Sequence, residues 1–374
     1  MELTIDAKDL AAVLALPNRA VVSRPSNPVL LNLLLKAEGD TLAVTGSDLG
    51  AVTITAKTTA SIAAQGEILL PAKLLVEMVG RMQGILHLTW DGEHSQATIN
   101  TLGGSYSLSG QSGEDYPLIE RAEGQQLTLE ASTLARALEA TLVTVSDDES
   151  KRILCGVHLQ PSADGLEVAS TDGHRLSVFP LAQEVEAFTP VTMPKRGLEA
   201  LGKHLGKADG MVTVTLDNTI ATFDLGDLVF TTRLLEGQYP EYRRLIPTNF
   251  AVETLINRQQ WIDALSRIMV VASQKLGIIR HHWDDQGQLV LEADVDGSSG
   301  RELVACEVTK GQDVPGTAKE PMAFNGEYLL DGLNALASEQ VILSRNTPTS
   351  PTTLTAPGSL QVCLVMPVQI REPA

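Results

Sequence analysis

Glu2-Leu3-Thr4-Ile5, Gln126-Leu127-Thr128-Leu129 and Glu253-Thr254-Leu255-Ile256 open three stretches of the chain that follow one plan. Each is a short strand pattern, and the apolar spacing after it predicts a helix: over Ala7–Leu16, Ala131–Leu142 and Arg258–Val270. Alternating strands broken by acidic or glycine turns come next. Self-similarity of this kind decides the fold, because each repeat is then one structural unit. Residues that break the repeat stand out as candidates for special roles.

Every repeat divides again into halves of like design. The second halves open with Ile68-Leu69-Leu70-Pro71-Ala72-Lys73, Val191-Thr192-Met193-Pro194-Lys195-Arg196 and Met322-Ala323-Phe324-Asn325-Gly326-Glu327. In each, a strand runs directly into a helix, and Pro71 and Pro194 suit a first helical turn, where no N–H is needed. Leu74, Leu75, Met78, Val79 and Met82 then fall at helical spacing, as do Leu198, Leu201 and Leu205, and Leu329, Leu330, Leu333 and Leu336. Hairpin signals stand at Glu38-Gly39-Asp40, Asp91-Gly92, Asp164-Gly165, Asp217-Asn218, Asp285-Gln286-Gly287 and Asn346-Thr347-Pro348. Six such turns at roughly sixty-residue spacing imply six strand–helix–strand–strand–strand units. Paired, they make three similar α+β domains of about 120 residues, an ordinary domain size, with boundaries at 1–122, 123–249 and 250–374.

Composition narrows the class. Of the 374 residues, 43% are hydrophobic, 20% charged and 4% aromatic, the profile of a soluble globular protein. Cys155, Cys306 and Cys363 are scattered and odd in number, so neither a disulfide framework nor a CxxC zinc pattern is expected, and a reducing cytoplasm is the simplest compartment. Charges at Glu2, Asp6, Lys8 and Asp9 exclude a signal-peptide core at the N-terminus. The apolar run Val29–Leu35 is interrupted by Asn32 and too short for a bilayer, so no membrane partner is expected.

The formal net charge of −18 argues by itself against a protein that grips nucleic acid. The charge is unevenly placed, however. Lys195, Arg196, Lys203, His204 and Lys207 share one predicted helix, and Lys8, Lys73, Arg81, Arg136, Arg258 and Arg267 lie on others, while acids crowd the loops at Glu114-Asp115, Asp147-Asp148-Glu149 and Asp284-Asp285. Solvated helix faces account for this pattern, and so does one locally basic face on an acidic body.

Catalytic constellations fail. There is no P-loop, GxSxG, HExxH or GxGxxG opening a helix. His281 and His282 are adjacent in a predicted strand and point to opposite faces, which prevents a shared metal. Asp294, Asp296 and Gly297 echo a calcium loop without its final glutamate and read as a turn. His87, His94 and His158 lack partners at ligand spacing. Asp172 and His174 resemble a carboxylate-oriented base, but no nucleophile accompanies them. Neither a cofactor nor a metal is expected.

Three breaks in the repeat remain. Ser170-Thr171-Asp172-Gly173-His174-Arg175-Leu176 corresponds to Gly46-Ser47-Asp48-Leu49-Gly50 and to Asp296-Gly297-Ser298-Ser299-Gly300. A shared turn explains Asp-Gly, but not the His-Arg-Leu that only the middle repeat carries. The junction Gly237-Gln238-Tyr239-Pro240-Glu241-Tyr242-Arg243-Arg244-Leu245-Ile246-Pro247 is longer than its counterpart Glu114-Asp115-Tyr116-Pro117-Leu118-Ile119. The third break is the apolar end Val362-Cys363-Leu364-Val365-Met366-Pro367-Val368-Gln369-Ile370. An exposed apolar end beside such a junction marks an interaction surface; simple linker packing accounts for it too.

Thr171–Leu176, the Tyr-Pro-Glu-Tyr-Arg-Arg junction, Phe324-Asn325 with Tyr328-Leu329-Leu330-Asp331, and the closing Val365-Met366-Pro367 together resemble the bacterial sliding clamp, the beta subunit of DNA polymerase III. The likeness covers the whole chain in order. It implies a ring of two subunits, each of three like-folded domains, with helices lining a central hole and sheets outside. It implies a non-enzymatic processivity factor of the cytoplasm that encircles double-stranded DNA and tethers the polymerase. Its partners would be a second copy of itself, the DNA polymerase III catalytic subunit, the clamp loader complex, and other polymerases and repair proteins that carry clamp-binding peptides.

A ring held by topology needs little phosphate neutralisation, and strong contacts would impede sliding, so an acidic body with mildly basic helices becomes intelligible. By resemblance, Arg24, Lys73, Lys151 and Arg152 face DNA, with Lys195 and Arg196 as helix candidates. The last helix, predicted over Asn325–Leu336, carries Glu327 and Asp331 and no basic residue. The peptide groove would be walled by Leu154, Thr171, Gly173, His174, Arg175 and Leu176, by Pro240, Arg244 and Leu245, and by Asn325, Tyr328, Leu364, Val365, Met366 and Pro367. A mostly apolar groove with a few polar anchors suits short extended peptides with hydrophobic ends. Ring closure would be head to tail, pairing Tyr106 and Leu108 on one strand with Val270 and Val271 at a helix end, and matched sheet edges would add main-chain hydrogen bonds. The chain departs from the family pattern at Gln369, where a basic residue is common, and in the added Arg371-Glu372-Pro373-Ala374.

Overall fold

The computed structural model describes every residue except 93–94, 164, 182–184, 186, 312–319 and 370–374. His94, Asp164, Ile370 and the terminal Arg371–Ala374 therefore lie outside the described residues. Six units follow one another. The first is β1 (Glu2–Asp6), α1 (Ala7–Ala15), β2 (Asn32–Glu38), β3 (Thr41–Ser47) and β4 (Val52–Thr59), with a short added strand β5 (Ser61–Ala64). The second is β6 (Gly66–Pro71), α2 (Ala72–Val79), β7 (Ile85–Trp90), β8 (Gln96–Thr101) and β9 (Gly104–Ser109). The middle pair is β10 (Gln125–Glu130), α3 (Ala131–Leu142), β11 (Gly156–Ser162), β12 (Gly165–Thr171) and β13 (Arg175–Pro180), then β14 (Val191–Pro194), α4 (Lys195–Leu205), β15 (Met211–Leu216), β16 (Ile220–Asp224) and β17 (Leu228–Arg233). The fifth is β18 (Val252–Asn257), α5 (Arg258–Ala272), β19 (Ile278–Trp283), β20 (Leu289–Val295) and β21 (Ser298–Val304), with an added β22 (Cys306–Lys310). The sixth is β23 (Met322–Asn325), α6 (Gly326–Ala335), β24 (Gln340–Arg345), β25 (Thr352–Thr355) and β26 (Val362–Val365). The six-unit α+β plan is thus present, with β5 and β22 as additions.

Local chemistry sets these boundaries. Asp6 caps α1 by accepting from the Lys8 N–H at 2.8 Å, and Asn325 caps α6 by accepting from the Glu327 N–H at 2.9 Å. Asn325 therefore precedes the last helix rather than opening it, and α5 runs two residues past the expected Val270. Pro71 and Pro194 are not in first helical turns. They end β6 and β14, pairing with Asn32 and Gly156. Both strands are sheet edges, where a missing N–H costs no ladder bond.

Two compact units emerge. Met1–Ala135 with Arg196–Leu235 holds a five-stranded sheet, β5-β1-β7-β8-β9, and an eight-stranded one, β10-β15-β16-β17-β4-β3-β2-β6. Its core gathers Leu10 and Leu14 of α1, Leu75 and Val79 of α2, and inward residues of both sheets such as Leu33, Leu35, Leu86 and Leu88. Leu10 is completely buried, so truncating it to Ala would cost about 2–5 kcal/mol. Arg136–Lys195 with Glu236–Ala374 holds a nine-stranded sheet, β14-β11-β12-β13-β26-β25-β24-β18-β22, and a four-stranded one, β21-β20-β19-β23. Its main core centres on Trp261, Leu265 and Ile268 of α5 with Leu329 and Leu333 of α6. The two long sheets join halves of different repeats: β4 pairs β17, and β13 pairs β26, both antiparallel.

Two expectations need correction here. Leu108 is not available to a partner chain, because it is 1% exposed within the core of its own unit, whereas Tyr106 on the same strand is 45% exposed. Along β9 only Leu108 is buried. Arg196 is not helical either: it has φ −59°, ψ 125°, and Gly197 has φ +83°. A Cβ on Gly197 would meet Phe230 at 2.9 Å, so glycine is required for this kink.

Candidate functional site

The turn between β12 and β13 is braced by Asp172. Its Oδ1 accepts from the N–H groups of His174 (2.8 Å) and Arg175 (3.0 Å), and its Oδ2 accepts from Arg175 Nε at 3.0 Å. Gly173, at φ +94°, supplies the left-handed step. With both oxygens engaged as turn acceptors, Asp172 is not an orienting carboxylate for His174, and the base-like reading of that pair falls away. The Thr171 hydroxyl donates to Arg175 O at 2.6 Å, and the Thr171 N–H donates to the Tyr239 hydroxyl at 3.0 Å.

Register carries the chain end to this turn. Arg175 lies opposite Val365 and Leu176 opposite Leu364, and the ladder continues as the Met366 N–H donates to His174 O at 2.9 Å. The 237–247 segment arrives beside them, anchored by Tyr239, which stacks on His158 at 4.3 Å, and by buried Tyr242. The result is an apolar floor of Ala169, Leu176, Val178, Tyr239, Tyr242 and Leu364, with Leu154 and Met366 half-buried against it. Leu176 and Leu364 are buried and form floor rather than wall, Val365 turns to the opposite face into the α5–α6 core and does not line the floor, and Leu245 is 54% exposed. Gly173, His174, Pro240 and Arg244 are also exposed, and Pro367 is half-buried.

The polar end of the floor is organised by Arg175. Its guanidinium lies 4.3 Å from the Tyr328 ring centre, pairs with Asp172 and donates to Asp331 of α6, while His174 stacks with Tyr328 at 6.5 Å. Asn325, capping α6, fixes where Tyr328 stands. Beneath the linker, Glu167 on β12 is shielded from solvent and accepts from Tyr242 Oη at 2.5 Å, Gln160 Nε2 at 2.7 Å and Arg243 Nε at 2.8 Å. Burial alone would raise its pKa, but bonds from Arg243, Tyr242 and Gln160 outweigh that and hold it below the usual carboxylate range. Burial, reinforced by the Glu167 carboxylate, pushes the Tyr242 hydroxyl up. Glu167, Arg243 and the anchoring roles of Tyr239 and Tyr242 escape sequence reasoning; spacing marks the junction, not which of its side chains turn inward.

The remaining sequence-derived candidates are dispersed. Arg24, Lys73, Lys151 and Arg152 are exposed, and Lys151 Nζ also donates to Asp172 O at 3.2 Å. Lys195 pairs with Asp147 and Arg196 with Asp48, each at 2.9 Å, so these two cations are already engaged by carboxylates. Val270 is 69% exposed on α5, while Val271 packs partly against the α5 core. Tyr106 lies on β9, an edge of the five-stranded sheet, and β21 is an edge of the four-stranded one. Among the described residues no group of three or more His, Cys, Asp or Glu is placed to hold a metal, and no helix is long and apolar enough to cross a membrane.

A strand–helix–three-strand unit used six times, with an apolar cluster where a middle and a final unit share one sheet, defines a clamp-type scaffold. Residues 1–120, 128–241 and 243–369 match the family models of the DNA polymerase III beta subunit N-terminal, central and C-terminal domains. The chain belongs to this family, the beta sliding clamps. It is 37% identical over 387 residues to the beta sliding clamp of Synechococcus elongatus, covering 100% of each chain. It is 35% identical to that of Synechocystis sp., covering 99% of this chain and 100% of the relative. Among solved structures it is similar to a Pseudomonas aeruginosa sliding clamp bound to griselimycin, with TM-score 0.91 and 26% identity over 99% of this chain and 100% of that one.

Proposed function

We propose that two copies of this chain close head to tail into a ring around duplex DNA. The ring tethers the replicative polymerase and takes partner peptides in the groove floored by Leu176, Tyr242 and Leu364. The observation that supports it is the β13–β26 ladder, which sets Leu176 beside Leu364 and Met366, with Tyr239 and Tyr242 of the 237–247 junction packed in the same apolar cluster. An extended peptide would lay apolar side chains on that floor and meet Arg175, His174, Arg244 and Asn325 at its polar rim. Its donors would be the DNA polymerase III catalytic subunit, the clamp loader, and other polymerases and repair proteins. Arg24, Lys73, Lys151 and Arg152 supply weak, sequence-independent attraction to phosphate, and Lys195 and Arg196 contribute less because Asp147 and Asp48 neutralise them. Dimer contact involves Tyr106, Val270 and Val271, with β9 and β21 as edges for main-chain pairing. The protein acts in the cytoplasm as three domains, 1–122, 123–249 and 250–374, and has no reaction of its own.

The test is a titration of a labelled peptide ending in two bulky apolar residues. Met366→Ala with Pro367→Ala should weaken its binding about tenfold, the loss of two apolar contacts, while leaving the dimer mass unchanged. Unaltered peptide affinity would remove the groove assignment.

A further inference from the structure

The chain contains two junctions built on one frame, and the difference between them isolates a single buried charge. At the first, the Ser47 N–H donates to the Tyr116 hydroxyl at 3.2 Å; at the second, the Thr171 N–H donates to Tyr239 at 3.0 Å. Asp48 Oδ1 accepts from the N–H groups of Ala51 and Val52, both at 2.8 Å, as Asp172 Oδ1 does from His174 and Arg175. Pairing of β4 with β17 matches pairing of β13 with β26. What the two junctions share is the frame.

Beyond the anchoring tyrosine they diverge. The first junction ties its backbone to sheet hydroxyls: the Ile119 N–H donates to Thr53 Oγ1 at 3.2 Å and the Ala122 N–H to Thr222 Oγ1 at 2.9 Å. The second makes its backbone bonds within itself, from Tyr242 N to Pro240 O (2.7 Å), Arg244 N to Glu241 O (3.1 Å) and Ile246 N to Arg243 O (3.3 Å). Its hold on the sheet past Tyr239 comes from Tyr242 and Arg243 converging on Glu167. Counting back equally from Ser47 and Thr171, Ala43 stands where Glu167 does. A carboxylate taken out of water is a poor source of stability, since a well-packed apolar replacement serves as well; its use here is geometric.

We propose that Glu167 is a positioning residue for partner binding. By gripping Tyr242 and Arg243 it sets the wall that carries Pro240, Arg244 and Leu245 at one register against the groove floor. Glu167 lies beneath the linker and does not touch the peptide. The inference rests on the groove being the peptide site.

A double-mutant cycle on the full chain tests it, using the same labelled peptide. Glu167→Met should weaken binding about tenfold, the scale of coupling between contacting residues, and Glu167→Gln, which keeps an acceptor for Tyr242 and Arg243, should recover most of it. In a Leu245→Ala background the Glu167→Met loss should shrink to under about twofold, because the wall it positions is already cut back. Amide exchange at Arg244 and Ile246 should quicken in Glu167→Met with the dimer mass unchanged. Parental affinity in Glu167→Met beside a weakened Leu245→Ala would overturn the proposal and leave the groove standing, as would losses that simply multiply. Parental affinity in both Leu245→Ala and the Met366/Pro367 variant would instead remove the groove itself. Should Glu167→Met fail to fold, Arg243→Gln runs the same cycle with the same expected and overturning results, since its side chain is 55% exposed.

Discussion

Tyr239→Phe and Tyr116→Phe delete one hydroxyl each from the two equivalent junctions, and the structure assigns them opposite consequences. The Tyr239 hydroxyl accepts from the buried Thr171 N–H, while its ring stays stacked on His158. Removing the oxygen leaves one buried donor unpaired, worth about 1–2 kcal/mol, or roughly a 5- to 30-fold faster exchange of the Thr171 amide. The turn keeps its other bonds, from the Thr171 hydroxyl to Arg175 O and from the Gly173 N–H to Thr171 Oγ1, so the loosening is local. A groove whose competent form is less populated binds more weakly by that fraction, and peptide affinity should fall about three- to tenfold. Tyr116 makes two bonds, accepting from Ser47 N–H and donating to Asn32 O at 3.0 Å. Its loss should cost about twice as much stability yet leave peptide affinity within about twofold, because that junction carries no groove. Hydrogen exchange resolved by residue and a peptide titration read both effects. Unchanged exchange at Thr171 in Tyr239→Phe, or equal affinity losses in the two variants, would refute the reasoning.

Leu108→Ala should destabilise the fold by about 2–5 kcal/mol, whereas Tyr106→Ala should leave the fold intact and raise the dimer dissociation constant about tenfold; sedimentation in the ultracentrifuge with thermal melts separates the two, and an undiminished melting temperature in Leu108→Ala would contradict the burial. Acid should destabilise the protein through two histidines: burial holds His158 down to about 4 and His281 down to about 3, against 6.5 unfolded. The unfolded chain then binds more protons below pH 6.5, so stability is complete above that value and falls through the window down to about 4 and 3, by about 2 kcal/mol per histidine at pH 5. Denaturant midpoints at pH 7 and 5 check this, and a His158→Gln variant that keeps the full pH slope would count against it.

Much of the architecture is legible in the chain because local and tertiary preferences agree there. Acidic and glycine turns such as Glu38-Gly39-Asp40 and Asp285-Gln286-Gly287 do separate strands, and Leu198, Leu201 and Leu205 do face a core. The prolines read differently because an edge strand tolerates Pro71 and Pro194 as readily as a first helical turn does. Arg196 stands at helical spacing, but the helix start kinks at Gly197, where Phe230, distant in sequence, leaves no room for a Cβ. Alternation puts Tyr106 and Leu108 on one face, yet Leu108, opposite Ala97, belongs to the core while Tyr106, opposite the buried Ile99, stays exposed, a difference that only tertiary packing sets. The ion pairs around the proposed groove, Glu167 with Arg243 and Arg175 with Asp331, join residues far apart in the chain. Pairings of that range leave no periodic trace.

Encirclement of DNA is tested most directly by retention on a defined template. Protein loaded onto a nicked circle, freed of excess by gel filtration, should stay bound in moderate salt and leave within minutes once a restriction enzyme opens the circle. Equal retention on circular and linear DNA, or release from both by salt alone, would show attachment by contact rather than by topology and would contradict the account.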